Sequence, residues 1–245
     1  MNGSHDASLP EAALLSQQAR WLAPARGHLL RRVHIARRKR VLDLGSGTGS
    51  IMPELERRAG GSVIALDRSH AALATDPLRR SLRVAGDAVR LPFPDGTFDL
   101  IVSQITLLWV TPLACAIAEI WRGLMPGGVL VALEPDYGGM MEHPPEIASR
   151  ALWLAALERA GADPLIGRRL PGMLGAQGFD VQVGLFDTLG RADPARFSFL
   201  EGLPLTGEET AQLRKIREAA QALDGPWAEV AHLPFFLIRA TKPQN

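Results

Sequence analysis

Residues 40–50 read RVLDLGSGTGS, and this stretch decides the fold. Its first half, VLDL, is a short apolar run typical of a buried strand, interrupted by the carboxylate of Asp43. Three glycines follow at alternate positions, where the backbone can turn with positive φ and approach a ligand closely. After Ser50 the apolar residues recur at helical spacing. A strand, a glycine turn and a helix in this order predict a small-molecule site at the start of the helix.

Further strands and helices are predicted to alternate along the chain. Apolar and β-branched runs predict strands at residues 62–67, 82–85, 99–104, 129–133, 180–186 and 233–240. Helical spacing predicts helices at residues 10–34, 70–74, 112–124, 145–160, 167–176, 194–203 and 208–223. Because strands and helices alternate over the first 135 residues, we expect an α/β fold with a doubly wound, mostly parallel sheet. Ligands of such sheets bind beyond the carboxyl ends of the strands, beside the first strand.

Polar residues stand at or just after the ends of these strands. Asp67 lies 22 residues after Gly45, the usual distance for an acid that accepts hydrogen bonds from a ribose. Asp87 can accept from an adenine amine while the N–H of Ala88 donates to a ring nitrogen. Both acids also have plainer interpretations. Asp67 would be a strand-end acid in a turn or a helix cap, and Asp87 would be part of a plain Gly-Asp turn. Asp43, inside its strand, is expected to accept N–H groups of the glycine turn or to reach a ligand through water.

The glycine turn also bears on the kind of cofactor. The dinucleotide fingerprint is G-x-G-x-x-G/A, whereas here Ser50 occupies the sixth position. Asp43 would also lie close to the phosphates of a dinucleotide, where two negative charges repel, whereas a cationic ligand would be attracted. The pattern therefore disfavours an NAD(P)-dependent reductase, which stays the weaker alternative among enzymes.

Four motifs of this chain resemble those of class I S-adenosylmethionine-dependent methyltransferases, in the small-molecule branch represented by ubiquinone/menaquinone-biosynthesis methyltransferases. They are VLDLGSGTG at 41–49, ALDR at 65–68, GDAVRLPFPDGTFDLI at 86–101 and LMPGGVLVALEP at 124–135. The resemblance covers residues 40–135 closely and the remainder more loosely, ending in FFLIRATKP. It implies a seven-stranded Rossmann-like sheet with an antiparallel last strand and helical acceptor-site insertions.

The same resemblance implies S-adenosyl-L-methionine as the cofactor and assigns residues to it. Asp67 would bind the ribose, Asp87 and Ala88 the adenine, and the glycine turn the methionine part, with Gln104 near the methionine amine or carboxylate. The complete set of predicted cofactor-binding residues is Asp43, Gly45, Ser46, Gly47, Asp67, Arg68, Asp87, Ala88 and Gln104.

The implied activity is methyl transfer to a small, apolar or aromatic metabolite, for which two catalytic candidates follow the fifth strand. Tyr137 would orient the acceptor or close over the cofactor, and His143 would act as a general base. The plainer interpretations are a tyrosine packed on a turn and a surface histidine. Aromatic residues that would line an apolar acceptor pocket, although each alone is more often core, are Trp21, Trp109, Trp153, Phe197, Phe199 and Trp227.

The predicted organisation is one domain preceded by a disordered tail. Residues 1–9 would form the tail and residues 10–245 the methyltransferase domain. Within the domain we expect an N-terminal helical lid at 10–39, a cofactor-binding half at 40–135 and an acceptor-binding half at 136–245.

Composition limits the partners. With 27 basic and 26 acidic residues the net charge is +1, which argues against a nucleic-acid partner. The apolar stretch 104–121 is interrupted by Pro112 and Glu119, so no stable membrane insertion is expected. A single cysteine, Cys115, fits a reducing cytoplasm, and no metal-ligand spacing occurs. The oligomeric state is left open. A non-catalytic subunit that binds S-adenosylmethionine would carry the same cofactor residues and remains an alternative.

Overall fold

A computed structural model describes residues 12–75, 82–186, 189 and 192–244 of the protein. The predicted disordered tail at 1–9 lies outside the described residues. Within them, strands and helices alternate as the apolar spacing predicts, and a second, two-stranded sheet is added.

Seven strands form the main sheet, in the order β3-β2-β1-β4-β5-β9-β7. They are β1 (Arg40–Leu44), β2 (Ser62–Asp67), β3 (Leu82–Ala85), β4 (Phe98–Gln104), β5 (Leu124–Pro135), β7 (Asp180–Leu185) and β9 (Phe235–Thr241). Strand β1 pairs in parallel with β2 and β4, whereas β9 runs antiparallel to both β5 and β7. The predicted doubly wound sheet with an antiparallel last strand is therefore confirmed. Strands β6 (Met141–His143) and β8 (Val230–His232) form the small second sheet.

The helices cover both faces of the sheet. They are α1 (Ala12–Trp21), α2 (Ala23–Arg32), α3 (Met52–Arg58), α4 (His70–Ala74), α5 (Leu113–Gly123), α6 (Arg150–Arg159), α7 (Ile166–Gln177), α8 (Ala195–Glu201) and α9 (Gly207–Ala222). Short 3-10 turns lie between some of them, as at Leu107–Trp109. Among the described residues no helix combines the length and the apolarity that crossing a membrane requires.

Successive side chains of β1 point to opposite faces of the sheet. Leu42 and Leu44 join the apolar cluster that also contains the buried face of α5, while Val41 joins the cluster on the opposite side with α2 and α3. Because strand side chains alternate, Asp43 points to the same side as Val41. A carboxylate is thus directed into the layer between the sheet and the N-terminal helices.

Three predictions of element bounds were wrong for identifiable reasons. The helix predicted at 10–34 is two helices, α1 and α2, which are separated at Leu22 because Pro24, which lacks a backbone N–H, stands in the first turn of α2. Strand β5 begins at Leu124, five residues early, because Leu124 pairs with Phe98 and the Pro-Gly-Gly segment forms an irregularity inside the strand. The predicted helix at 145–160 starts only at Arg150, since the Glu142 carboxylate accepts the backbone N–H groups of Ser149 and Arg150 at 2.8 and 2.9 Å. Strands β6 and β8 were not predicted, because three residues are too few to display an alternating pattern.

Candidate functional site

A cavity of about 760 Å³ opens at the carboxyl ends of the central strands. Its walls come from the loops after β1, β2, β3 and β4, from α1, and from residues of the C-terminal half. All nine predicted cofactor-binding residues line it: Asp43, Gly45, Ser46, Gly47, Asp67, Arg68, Asp87, Ala88 and Gln104. The structure thus brings this set together, while the ligand contact of each residue stays a prediction.

The glycine turn is held against the end of β2. The N–H groups of Gly45 and Ser46 donate to the carbonyl of Leu66 at 2.8 and 3.0 Å, and the N–H of Gly47 donates to Asp67 Oδ2 at 2.7 Å. Gly45 has a φ of +72°, and a Cβ atom there would lie 2.1 Å from Cγ2 of Thr106. Only glycine fits at this position, so the backbone of the turn itself forms the cavity wall.

Asp67 combines a structural position with a place at the cavity. Its Oδ1 accepts the N–H of Ser69 at 2.8 Å, in addition to the bond from Gly47 to its Oδ2. A carboxylate offers about four acceptor sites, so two occupied sites leave room for hydroxyl donors. Asp67 therefore forms a turn after the strand end, whereas the N-cap of α4 is Ser69, and the turn is compatible with the predicted ribose contact.

Asp43 does not accept from the glycine turn, which corrects the expectation from the sequence. The turn's N–H groups are used by Leu66 and Asp67, and Asp43 Oδ2 is buried without a partner among the described residues. Burial raises the pKa of Asp43 to about 7, opposed by the positive Arg26 and reinforced by the negative Asp67. A buried carboxylate at a cavity wall that lacks an internal partner is suited to a donor or a cation from a ligand.

Ser46 adds a second buried polar atom to the same wall. Its Oγ also has no hydrogen-bond partner among the residues described, and the residue lines the cavity. Buried polar groups are nearly always paired in native proteins. Two unpaired ones, on Asp43 and Ser46, therefore indicate where a ligand's polar groups bind.

Arg26 is a buried residue beside the site that the sequence analysis did not single out, and it is only 3% exposed. Its guanidinium donates to Glu54 Oε2 at 2.8 and 2.6 Å, to the carbonyl of Ala19 at 3.0 Å and to Gln104 Oε1 at 2.7 Å. Arg26 therefore ties α2 and α3 to the end of β4.

A signal for this burial is present in the sequence. Leu22, Arg26, Leu29 and Val33 recur at helical spacing, so they share one face, and all four are buried. A cation within an otherwise apolar stripe needs a buried anion, which Glu54 supplies.

The adenine-loop candidates form a turn beside the cavity. Asp87 Oδ1 accepts the N–H of Val89 at 3.0 Å, and Ala88 is buried. The turn interpretation therefore holds for Asp87, and its position in the wall leaves the predicted adenine contact possible.

Aromatic rings make up the opposite wall. Tyr137 is 6% exposed and stacks on Trp153 with ring centroids 4.9 Å apart. Burial, together with the nearby charge of Glu134, raises the pKa of the Tyr137 phenol. The hydroxyl therefore stays protonated at neutral pH and has no partner among the described residues, so it is free to donate a hydrogen bond.

Three of the six predicted pocket aromatics line this wall, and three do not. Trp109, Trp153 and Phe199 are lining residues. Phe197 is buried in the core, and the ring of Trp21 contacts Phe199 at 5.7 Å without lining the cavity. Trp227 is 57% exposed. The aromatic wall is therefore real but smaller than the sequence suggested.

His143 is not brought to the cavity. It lies exposed on β6, opposite Val230, and is absent from the lining residues. Nearby Asp136 is also engaged elsewhere, since Arg168 binds both of its carboxylate oxygens at 2.7–3.0 Å. Of the two catalytic candidates, only Tyr137 lies at the site.

Helix α1 adds a further side to the cavity. Leu14, Leu15, Gln18 and Ala19 line it, and the side chains of Gln17 and Trp21 each donate to Asp193 Oδ2 at 3.0 Å. Through Asp193, α1 is fastened to the segment that leads into α8.

Comparison with known proteins points to one kind of domain. A family model described as a methyltransferase domain matches residues 42–132. The demethylmenaquinone methyltransferase of Roseiflexus castenholzii is 40% identical over 100 residues, 39% of this chain and 42% of that protein. A solved S-adenosylmethionine-dependent methyltransferase from Archaeoglobus fulgidus superposes with a TM-score of 0.58 at 19% identity, covering 95% of this chain and 100% of that one. At this identity the superposition shows the fold.

A relative with a different name matches a longer part of the chain. The mitochondrial arginine-hydroxylase of Rattus norvegicus is 32% identical over 176 residues, 69% of this chain and 50% of that protein. The chain thus spans half or less of the length of both curated relatives. Similarity to the demethylmenaquinone enzyme is confined to about two fifths of the chain.

Proposed function

We propose that residues 42–132, which match a methyltransferase domain, form a class I S-adenosylmethionine-dependent methyltransferase domain, and that the chain transfers a methyl group from S-adenosylmethionine to a small, neutral aromatic metabolite. The observation that carries this proposal is the pairing of two walls in one cavity. One wall has a buried, unpartnered carboxylate at Asp43, and the other has the stacked rings of Tyr137 and Trp153.

The first wall fits the cofactor. S-adenosylmethionine carries positive charge on its sulfur and its amino group, and when bound it supplies a methyl group already activated for transfer. Asp43 provides the opposite charge in a buried setting, where the attraction is weakly screened. Gly45 lets the ligand approach the backbone, and Asp67 has acceptor sites left for a ribose. Asp43 would repel the pyrophosphate of a dinucleotide, which continues to disfavour an NAD(P)-dependent reductase.

The second wall favours a neutral ring as the acceptor. Among the described lining residues of this wall, from α1, 108–111, Tyr137, α6 and α8, none carries a positive charge. An anionic acceptor would therefore be left unpaired, which is costly in a partly enclosed site. A flat ring can pack on Trp109 and Trp153, while Tyr137 donates a hydrogen bond to an oxygen on it. A quinol related to the acceptor named in the demethylmenaquinone relatives meets these requirements.

The division of labour along the chain belongs to the same proposal. Residues 40–135 would bind the cofactor, 136–245 the acceptor, and 10–39 would act as a lid, a role supported by the contacts of α1 with the cavity. We further propose a cytoplasmic enzyme that acts without nucleic acid. The net charge of +1 and the single cysteine support this. A mobility-shift assay with tRNA at physiological salt should show no complex.

The binding half of the proposal is tested by calorimetry. Purified protein should bind S-adenosylmethionine and S-adenosylhomocysteine, and Asp67→Ala should weaken both by at least tenfold. Absence of binding would refute the proposed cofactor. Unchanged affinity in the variant would remove the ribose assignment of Asp67.

Turnover separates an enzyme from a non-catalytic subunit. S-adenosylhomocysteine formation should be measured with 1,4-naphthoquinol, a catechol and an arginine-containing peptide as test acceptors. We expect product with the ring compounds and none with the peptide. Cofactor binding without product, even with cell extract as the acceptor source, would favour the non-catalytic subunit.

A further inference from the structure

Glu134, at the end of β5, is a completely buried carboxylate that neither the predicted site nor the matched family region 42–132 includes. Its Oε1 accepts the N–H groups of Thr106 and Leu107 at 3.2 and 2.9 Å and the hydroxyl of Ser103 at 3.4 Å. Its Oε2 is buried without a partner among the described residues. Such a costly group is retained in a core only where its hydrogen bonds matter.

The segment that Glu134 holds has an unfavourable backbone conformation. Ile105 has a φ of +53°, a region that β-branched residues rarely occupy. Its N–H donates to the carbonyl of Leu133 at 2.9 Å, and the next two N–H groups along the chain donate to Glu134. A strained residue persists only when its surroundings impose its conformation. The last residues of β5 therefore impose it here.

The same segment reaches both walls of the cavity. On the cofactor side, Thr106 fills the space where a Gly45 side chain would be, and its hydroxyl donates between the carbonyls of Gln104 at 3.1 Å and Gly45 at 3.3 Å. On the acceptor side, Trp109 lines the cavity and the carbonyl of Leu108 accepts the N–H of Asp163 at 2.8 Å. The conformation of residues 104–109 thus fixes the glycine turn relative to the aromatic wall.

We propose that Glu134 is a positioning residue, which holds the 104–109 segment so that the two walls keep the spacing that transfer between their ligands requires. This proposal rests on the proposed function, because methyl transfer by displacement depends on the alignment of the methyl donor with the acceptor. Glu134 acts through the N–H groups of Thr106 and Leu107 and touches neither ligand, since it does not line the cavity.

Hydrogen–deuterium exchange of the intact chain tests the proposal directly. In Glu134→Ala, the N–H groups of Thr106 and Leu107 should exchange at least tenfold faster, while the β2 segment 62–67 stays unchanged. The matched control is Glu142→Ala, which removes another carboxylate that accepts two backbone N–H groups, those of Ser149 and Arg150, away from the cavity. The control should speed exchange only around residue 149.

A functional readout separates positioning from general stability. Glu134→Ala should lower kcat with 1,4-naphthoquinol at least tenfold more than it lowers affinity for S-adenosylhomocysteine. Glu134→Gln, whose carboxamide oxygen still accepts the two N–H groups, should keep most of kcat, and Glu142→Ala should change neither kcat nor this affinity. If Glu134→Ala does not fold, Glu134→Leu, which fills the space without an acceptor, carries both measurements.

The outcomes are distinguishable from those of the proposed function. Unchanged exchange at Thr106 and Leu107 in Glu134→Ala or Glu134→Leu would overturn the positioning role, whatever the activity. An equal loss of kcat in Glu134→Ala and Glu142→Ala would overturn it too. Faster exchange at these N–H groups in a protein that binds no S-adenosylhomocysteine would support the contact and refute the proposed function.

Discussion

The two walls of the cavity are built by different means. We call the wall around Asp43, Gly45 and Asp67 the cofactor wall, and the wall around Tyr137 and Trp153 the acceptor wall. The cofactor wall consists of strand ends tied by short hydrogen bonds from backbone N–H groups, such as that from Gly47 to the Asp67 carboxylate at 2.7 Å. The acceptor wall consists of side chains from separate helices and turns, held by ring packing such as that of Tyr137 on Trp153. Hydrogen bonds are directional and hold their groups in one geometry, whereas packed side chains can rearrange around a substitution. We therefore expect substitutions in the cofactor wall to abolish cofactor binding, and substitutions in the acceptor wall to lower kcat by degrees.

The largest effect is expected from Gly45→Ala. The new Cβ would lie 2.1 Å from Thr106 Cγ2 at a φ of +72°, so both a clash and backbone strain arise. We expect a loss of about 3 kcal/mol in the free energy of unfolding, measured by urea denaturation, and no detectable binding of S-adenosylhomocysteine.

Gly47→Ala is the matched control for that substitution. Gly47 also has a positive φ, +53°, but a Cβ there would meet no atom within 4 Å. Only the strain remains, which costs about 1 kcal/mol. If both variants lose equal stability, the contact between Thr106 and the glycine turn is not what makes this wall rigid.

A smaller and more selective effect is expected from Tyr137→Phe. The ring and its stacking on Trp153 are kept, while the only group lost is the hydroxyl that would bind the acceptor. We expect kcat with 1,4-naphthoquinol to fall by about 10- to 100-fold. Affinity for S-adenosylhomocysteine should stay within twofold, because the cofactor wall is untouched. A parallel loss of cofactor affinity would show that the two walls are not independent.

The cofactor wall also predicts a pH dependence that the acceptor wall lacks. The pKa of Asp43, raised to about 7 by burial, means that its attraction for a cationic ligand is present above pH 7 and lost below it. Affinity for S-adenosylmethionine should fall about tenfold from pH 8 to pH 6. Asp43→Asn should bind weakly at both pH values in calorimetry. A variant that kept the wild-type pH profile would assign the titration to another group.

The stability of the ligand-free protein should respond to pH with the opposite sign. The folded protein binds the Asp43 proton more tightly than the unfolded chain, so protonation of Asp43 stabilises the fold. This stabilisation is fully present below the ordinary pKa of 3.8 and is lost as pH rises from there through about 7. Glu134, whose pKa burial also raises to about 7, contributes in the same direction. The free energies of unfolding of Asp43→Asn and wild type, measured by urea denaturation at pH 5 and pH 8, isolate the contribution of Asp43 to this pH dependence.

The contrast between the walls also explains what the sequence could predict. The cofactor wall is local: each strand and its loop are contiguous, so the pattern around Gly45 and Asp67 already locates the lining residues. The acceptor wall depends on how α6 and α8 pack, and that is why Trp153 and Trp227 could not be told apart beforehand. Arg26 was not singled out because its burial depends on Glu54 lying opposite, which the sequence alone does not show. Glu134 was overlooked because its partners, Thr106 and Leu107, precede it by 27 residues or more.

The smallest effect is expected where α1 meets the acceptor wall. Asp193→Ala removes the acceptor of hydrogen bonds from the neutral side chains of Gln17 and Trp21 at a partly exposed position, and also that of the Ala195 N–H at the start of α8. We expect a loss of about 1 kcal/mol in stability or less, together with a several-fold faster proteolytic cleavage of α1.

Arg169→Ala is the control for Asp193→Ala, because its ion pair with Asp163 is 60% exposed on the arginine side and does not involve α1. It should change neither stability nor cleavage. Affinity for S-adenosylhomocysteine should be unchanged in both variants if α1 only covers the cavity. A fall of kcat in Asp193→Ala as large as that in Tyr137→Phe would instead show that α1 helps to align the acceptor, because a helix that merely encloses the site should not govern alignment within it.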